Sequence, residues 1–174
     1  MDRPVLGRCP GGVSSGRHEP DRRRPLTDPI VKTLDLRCAA ARAFDIFTRD
    51  TARWWPGSHS VSSGAGKVPQ AVTIEPKQGG AVYETMHDGS RCDWGRVLEF
   101  EDGVRVAMTW HPGNNADNPT RVEVAFEDLP GGGSRLTLTH SGWEAWGDDA
   151  GTRRGHYSAG WDVVLGEHYL PACG

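Results

Sequence analysis

The chain has 174 residues, of which 36% are hydrophobic and 25% are charged, and its formal net charge is -3. This length and composition fit one globular domain and leave little chain for a second. The slightly negative charge excludes a general electrostatic attraction to nucleic acid or to an anionic membrane surface. The chain has no apolar run of about eighteen residues, and its N-terminus lacks the apolar core of a signal peptide. We therefore expect a cytoplasmic protein with neither nucleic acid nor a membrane as a partner.

The first 28 residues differ in composition from the rest of the chain. They combine frequent proline and glycine with six arginines and almost no large apolar side chains. Such a segment cannot bury enough surface to offset the entropy that is lost on ordering. We predict a disordered tail over residues 1–28 and a single domain over residues 29–174.

The domain is predicted to begin with a strand and two short helices. Residues 30–38 alternate apolar and polar side chains, as a half-buried strand does. Residues 39–48 change to helical spacing, and residues 50–55 form a second helical turn that Pro56 ends. The Gly/Ser-rich segment at 57–69 has the composition of a flexible loop, either a lid or slack chain, and we favour slack.

Six further strands are predicted after this loop, separated by short turns that contain glycine, asparagine, aspartate or proline. They span residues 71–75, 81–86, 93–100, 105–110, 121–126 and 135–141. Short turns of this kind imply an antiparallel meander. The last three strands alternate strictly, so one face of the sheet is apolar and ends in Trp110 and His140.

Residues 155–170 have the pattern of an amphipathic helix. Its apolar stripe recurs at spacings of three and four and consists of Tyr157, Trp161, Val164, Leu165 and His168. Pro171 lacks a backbone N–H and disfavours helical geometry at Leu170, so the helix is predicted to end there. The order of elements predicts an α+β fold, in which a curved seven-stranded antiparallel sheet wraps around this long C-terminal helix.

Several short strings occur along the chain in a characteristic order. They are AFDIFTRDTARWW at 43–55, Gly79-Gly80 with Tyr83-Glu84, Asp88-Gly89 before Trp94-Gly95-Arg96-Val97, Thr109-Trp110, and TLTHSG at 137–142 before Gly160-Trp161. In this order they resemble the START-like (SRPBCC) superfamily, and most of all the bacterial homologues of the activator of heat-shock-protein-90 ATPase. The resemblance implies a helix-grip fold whose sheet and helix usually enclose a ligand cavity. It implies no universal catalytic motif, because the superfamily includes lipid and hormone carriers, polyketide cyclases, other enzymes and co-chaperones.

The predicted cavity would be lined mainly by aromatic side chains and side chains with one polar edge. The candidate ligand-binding residues are Trp54, Trp55, Trp110, His140, Tyr157, Trp161, Leu165 and His168. Such side chains suit a flat, mostly apolar ligand that is held by a few hydrogen bonds. The same aromatic residues would also serve as the filled core of a small domain, and the two interpretations differ only in the volume left open.

Two polar residues are predicted to face the apolar side of the sheet. His140 would donate to a ligand, act as a general base near neutral pH, or be a hydrogen-bonded core residue. Glu84 needs a partner or a raised pKa at such a position. A hairpin at residues 88–89 would place Glu84 opposite Gly95, and the structural alternative for its carboxylate is an arginine partner.

No metal or cofactor is expected, because the histidine and cysteine spacings match no ligand pattern and neither a GxSxG string nor a phosphate loop is present. The leading hypothesis is a non-catalytic protein, monomeric or homodimeric, that binds a small hydrophobic or aromatic molecule. One alternative is a cyclase or hydrolase-like enzyme with His140 and Glu84 as acid/base groups. The other is a co-chaperone or stress-response interaction module.

Overall fold

The structure, a computed structural model, describes residues 27–174, and residues 1–26 of the predicted tail lie outside this range. Seven strands alternate with short connections: β1 (Ile30–Leu36), β2 (Ala71–Ile74), β3 (Ala81–Thr85), β4 (Arg91–Glu101), β5 (Arg105–Trp110), β6 (Thr120–Asp128) and β7 (Ser134–Ser141). Two short helices, α1 (Ala40–Thr48) and α2 (Thr51–Trp54), follow β1. All the predicted strands and helices occur, with ends that differ from the prediction by a few residues.

The strands form one antiparallel sheet in the order β1-β7-β6-β5-β4-β3-β2. Strands β2 to β7 are a meander, and β1 pairs with β7 in a register that puts Ile30 beside His140. The inner face is apolar because alternate residues of β5, β6 and β7 are fully buried, namely Val106, Met108, Val122, Val124, Leu136 and Leu138. The predicted seven-stranded antiparallel sheet is confirmed.

The C-terminal helix lies on this apolar face and is longer than predicted. A 3₁₀ segment (Trp143–Asp149) leads into α3 (Ala150–Val163), which continues through a π-helical turn (Val164–Tyr169) into α4 (Leu170–Ala172). The predicted start at residue 155 and end at residue 170 are therefore wrong. Pro171 does not end the helix, because the φ of proline is compatible with helical geometry. The π-helical turn before it also replaces the regular α-helical hydrogen bonds at this place.

Two hydrogen bonds attach α1 to the sheet and to the end of the chain. The N–H of Ala40 donates to Asp128 Oδ1 of β6 over 2.8 Å, which supplies the cap that Ala39 cannot provide. The buried hydroxyl of Tyr169 donates to the carbonyl of Ala43 over 2.7 Å. Because Tyr169 also packs on the ring of Phe47 at 5.5 Å, the last part of the C-terminal helix is fixed to α1.

The loop between α2 and β2 is ordered by a buried carboxylate, so the prediction of slack chain does not hold. Glu84 Oε2 accepts from the N–H of Val61 over 2.8 Å, and Oε1 accepts from the N–H of Ser62 over 3.0 Å. The indole N–H of Trp94 is a third donor to Glu84, at 3.2 Å. The expected arginine partner is therefore replaced by two backbone amides and an indole.

A bulge interrupts the register of the β3–β4 hairpin. Glu84 lies opposite Cys92, and Val82 lies opposite Gly95, because the pairing shifts by one residue between Val82 and Tyr83. The predicted pairing of Glu84 with Gly95 is wrong because the hairpin pairs Thr85 with Arg91 beside its turn, which puts Glu84 opposite Cys92, three residues before Gly95 on β4. The shift brings Trp94 to the same side as Glu84, where the two side chains meet.

Replacing Gly95 by alanine should destabilise the domain by about 2–3 kcal/mol, because a Cβ at this position would collide with the backbone carbonyl of Thr109 on β5. Gly155→Ala is a matched control, since no atom lies within 4 Å of a Cβ there and a helical alanine is favoured by about 0.5–1 kcal/mol. Denaturant unfolding of both variants measures the difference. Equal stability of the two variants would contradict this account of the β4–β5 contact.

Glu84→Gln should release the loop that carries Val61 and Ser62, because the amide nitrogen of glutamine would face backbone N–H groups. We expect a loss of about 2–3 kcal/mol and faster hydrogen exchange at the two amides. The exposed Glu101→Gln on β4 is the control and should change neither property. Unchanged exchange at Val61 and Ser62 in the Glu84 variant would show that the carboxylate does not order the loop.

Candidate functional site

A cavity of about 90 Å³ lies between the sheet and one face of the C-terminal helix. The helix contributes residues at spacings of three and four, and the opposite wall comes from β4, from the end of β5 and from the two loops beside them. The lining residues are Trp55, His59, Trp94, Trp110, Pro112, Asn114, Arg153, His156, Tyr157, Gly160, Trp161 and Val164. His156 is exposed, so the cavity reaches the surface at this end.

Four indole rings form the apolar wall of the cavity. Trp55 stands 5.4 Å from Trp94 and 6.0 Å from Trp161 between ring centroids, and Trp110 stands 5.5 Å from Trp94 and 5.6 Å from Trp161. Most of these pairs are tilted or edge-on, the geometry that aromatic quadrupoles prefer. The wall is therefore a continuous aromatic surface contributed by a loop, two strands and the helix.

His140 lies behind this wall and holds Trp161 in place. The indole N–H of Trp161 donates to His140 Nδ1 over 3.0 Å, and His140 Nε2 lies 2.7 Å from the hydroxyl of Thr120. That hydroxyl donates to the carbonyl of Trp110 over 2.9 Å, so it must accept the proton of His140 Nε2. Burial lowers the pKa of His140 to about 3, which keeps the imidazole neutral. Both ring nitrogens are thus occupied.

The rim of the cavity is polar. Arg153 donates from Nη1 to Asn114 Oδ1 over 3.2 Å, and its guanidinium carbon lies 3.7 Å from the ring centroid of Trp146. His59 contributes its ring from the 3₁₀ turn Gly57–His59, opposite Gly160 of α3. Burial is the main cause that lowers the pKa of His59, and the charge of His168 adds to it.

Tyr157 joins the apolar wall to the polar rim. Its pKa is raised to about 12, mainly by burial, so the phenol is a protonated donor at neutral pH. Among residues 27–174, the buried indole N–H of Trp110 makes no hydrogen bond of normal geometry. Its interaction with the phenol lowers the pKa of Tyr157, but less than burial raises it. The cavity therefore has two polar hydrogens, one on each of these residues, at the edge of an aromatic wall.

The structure brings together only half of the predicted ligand-binding residues. Trp55, Trp110, Tyr157 and Trp161 line the cavity. Trp54 and Leu165 are buried in the core, where the Trp54 indole donates to the carbonyl of Ile46 over 2.8 Å. His140 lies behind the wall, and His168 is half-buried outside the lining.

Sequence reasoning did not identify several lining residues. Arg153 precedes Tyr157 by four positions and would extend the same helical stripe, but the predicted helix began two residues after it. Trp94 lies on a strand whose parity changes at the bulge, which hides it from a simple alternation. His59 and Asn114 lie on loops, where no periodic signal exists.

Within residues 27–174, no helix is long and apolar enough to cross a membrane. The same part of the chain contains no group of three or more His, Cys, Asp or Glu side chains arranged to hold a metal ion.

Comparison with known proteins gives a family and a set of similar folds. The family described as activator of Hsp90 ATPase homolog 1-like protein matches residues 37–168. The structure of an anthrahydroquino-γ-pyrone synthase, Txn09, complexed with SUM, is 32% identical over 73% of this chain and 85% of its own, with a TM-score of 0.52. No match to a curated protein is found.

Two less similar structures share the fold. The self-sacrificing resistance protein CalC from Micromonospora echinospora is 17% identical over 85% of this chain and 95% of its own, with a TM-score of 0.62. Protein CV1439 from Chromobacterium violaceum is 20% identical over 83% of this chain and 96% of its own, with a TM-score of 0.57. The sheet gripping a C-terminal helix, together with the match over most of the domain, shows that this chain belongs to the family of activator of Hsp90 ATPase homolog 1-like proteins.

Proposed function

We propose that this protein binds a small, largely aromatic molecule in the cavity between β4, β5 and the C-terminal helix. The observation that carries the proposal is the wall of four indole rings around an open volume. A filled core would leave no such volume, because protein interiors are packed as densely as organic crystals. An aromatic wall with a few polar hydrogens is typical of sites for flat ligands.

The volume limits the size of the bound part of the ligand. About 90 Å³ is less than the roughly 150 Å³ of an engineered cavity that accepts benzene. A ligand with several rings must therefore extend through the open side of the cavity, past Arg153 and His156, or displace side chains of the rim. The rim includes His59, which lies on a 3₁₀ turn between α2 and β2 and moves at lower cost than the sheet.

The 32% identical relative supports an aromatic ligand. Its name, anthrahydroquino-γ-pyrone synthase, denotes a fused aromatic ring system. A ligand of that general class, flat and rich in rings, matches the indole wall described above. Identity at this level supports the class of ligand and not the reaction, since one fold hosts many chemistries.

Catalysis by His140 and Glu84 is not favoured by their surroundings. Both nitrogens of His140 are hydrogen-bonded inside the core, and the Glu84 carboxylate already accepts three hydrogen bonds. A general base needs a free lone pair within reach of a substrate proton. We assign structural roles to both residues. The co-chaperone alternative does not depend on the cavity and stays a prediction.

Naphthalene is a suitable neutral probe for the cavity. When it is titrated into ¹⁵N-labelled protein, the indole N–H signals of Trp110 and Trp161 should shift, while that of Trp54 in the core should not. Val164→Phe, which fills the helix side of the cavity, should weaken binding at least tenfold, or about 1.4 kcal/mol.

Val163→Phe is the matched control, because Val163 precedes Val164 and is not among the lining residues. It should bind naphthalene as the wild type does. The proposal fails if naphthalene causes no shift, or if both phenylalanine variants bind it equally well.

The neutral His140 should make stability depend on pH. Its folded-state pKa of about 3 lies below the usual value of 6.5, so the unfolded chain binds an extra proton between these limits. Stability should therefore fall by about 1.4 kcal/mol per pH unit as the pH drops from 6 to 4. Denaturant unfolding of His140→Gln at several pH values should show a weaker dependence of the free energy of unfolding on pH, smaller by the contribution of one bound proton. An unchanged slope would mean that His140 can be protonated in the folded protein.

A further inference from the structure

One charged side chain at the cavity rim, Arg153, has no ionic partner in the part of the chain that the structure describes. Arg153 makes no salt bridge to any residue from 27 to 174, and its hydrogen bond within that range goes to the neutral amide of Asn114. Asp149, the last residue of the 3₁₀ segment and four residues before Arg153, raises the pKa of Arg153 through its charge but forms no salt bridge with it. A half-buried guanidinium with unused N–H donors therefore stands at the mouth of an aromatic cavity.

The contacts of Arg153 hold its guanidinium in one place. Stacking on Trp146 fixes the plane of the group, and the Asn114 side chain is itself fixed because its Nδ2 donates to the carbonyl of Pro112 over 2.8 Å. Arginine presents several donors in a rigid fork that matches the two oxygens of a carboxylate. A guanidinium that is held in place and has no ionic partner among residues 27–174 is pre-organised to bind an anionic oxygen.

Tyr157 provides a second donor beside this charge. It follows Arg153 by four residues on α3, so the two side chains share one face of the helix. Both side chains line the cavity, and the charge of Arg153 lowers the pKa of the phenol against the larger effect of burial. Within residues 27–174 the phenol O–H donates no hydrogen bond, and Tyr157 lines the cavity together with Trp110.

We infer that the cavity selects aromatic ligands that carry an anionic oxygen, a carboxylate or an ionised phenol, bound by the Arg153 guanidinium and the Tyr157 hydroxyl. This inference rests on the proposed function, because it describes the polar end of a ligand whose rings occupy the indole wall. The other titratable groups at the rim do not oppose it: His59 and His156 are neutral or positive, and Asp149 lies outside the lining. The ligand thus binds with its rings against the indole wall and its anionic oxygen at the rim of the cavity, beside Arg153.

The experiment compares two probes of equal shape, 2-naphthoate and naphthalene-2-carboxamide, by calorimetric titration at low salt. The wild type should bind 2-naphthoate about tenfold more tightly than the neutral amide. Arg153→Met should remove this preference by weakening 2-naphthoate alone, and Tyr157→Phe should reduce it severalfold. Arg153→Lys should keep only part of it, because an ammonium keeps the charge and lacks the planar fork. Thermal unfolding of each variant checks that the fold is intact.

Arg154→Met is the matched control, since it removes the same charge from the adjacent position. Arg154 donates to the carbonyls of Asp28 and Pro29, and it does not line the cavity. It should leave the preference unchanged. A further probe, 2,4-dinitro-1-naphthol, is an ionised phenol at neutral pH and distinguishes phenolate ligands from carboxylate ligands. If it binds and its binding depends on Arg153, the site accepts phenolates as well. If it does not bind, the site is restricted to carboxylates.

Equal binding of the acid and the amide by the wild type overturns the inference, and so does a preference that survives Arg153→Met. In both cases the amide still binds, and the proposed aromatic cavity stands. If neither naphthalene compound binds, the cavity proposal fails and this inference fails with it.

Discussion

The hydrogen bond from the Trp161 indole to His140 Nδ1 is the contact on which the site depends. It connects the C-terminal helix to β7, and through Thr120 it continues to the carbonyl of Trp110 at the end of β5. Three strands and the helix are thereby fixed relative to each other at the place where the cavity opens. Because an indole N–H only donates, the bond requires a neutral imidazole with its proton on Nε2. The depressed pKa of His140 follows from its burial and protects this arrangement.

A second buried anchor supports the opposite side of the cavity. Glu84 accepts from the indole of Trp94 and from two amides of the loop that carries His59. Both polar residues that the sequence marked as possible acid/base groups thus orient tryptophans of the wall. The reason is general: a polar group in a core must satisfy its hydrogen bonds there, and once it has done so little is left for a substrate. Within residues 27–174, the polar groups of this site that have no hydrogen-bond or ionic partner include the indole N–H of Trp110 and unused N–H groups of Arg153.

Membership of the activator of Hsp90 ATPase homolog 1-like family accounts for the fold more than for the chemistry. The sheet and helix are shared with proteins as different as a synthase and a self-sacrificing resistance protein. In this chain the space between them has an apolar wall of indoles and a rim with a guanidinium that has no ionic partner among residues 27–174. Those features decide which molecules the common fold can accept, because shape and charge at the site set the binding energy.

The sequence by itself determined the order of the strands, the apolar face that ends in Trp110 and His140, and the helix that covers it. These follow from periodicity, which is a local property of the chain. It did not determine that Trp54 belongs to the core while Trp94 belongs to the cavity, nor that Arg153 stands at the mouth. Those outcomes depend on a bulge, on the earlier start of the helix and on loop contacts across the sheet. Only tertiary packing decides them, because the free volume and the partner of a buried polar atom belong to the assembled structure and not to any one segment.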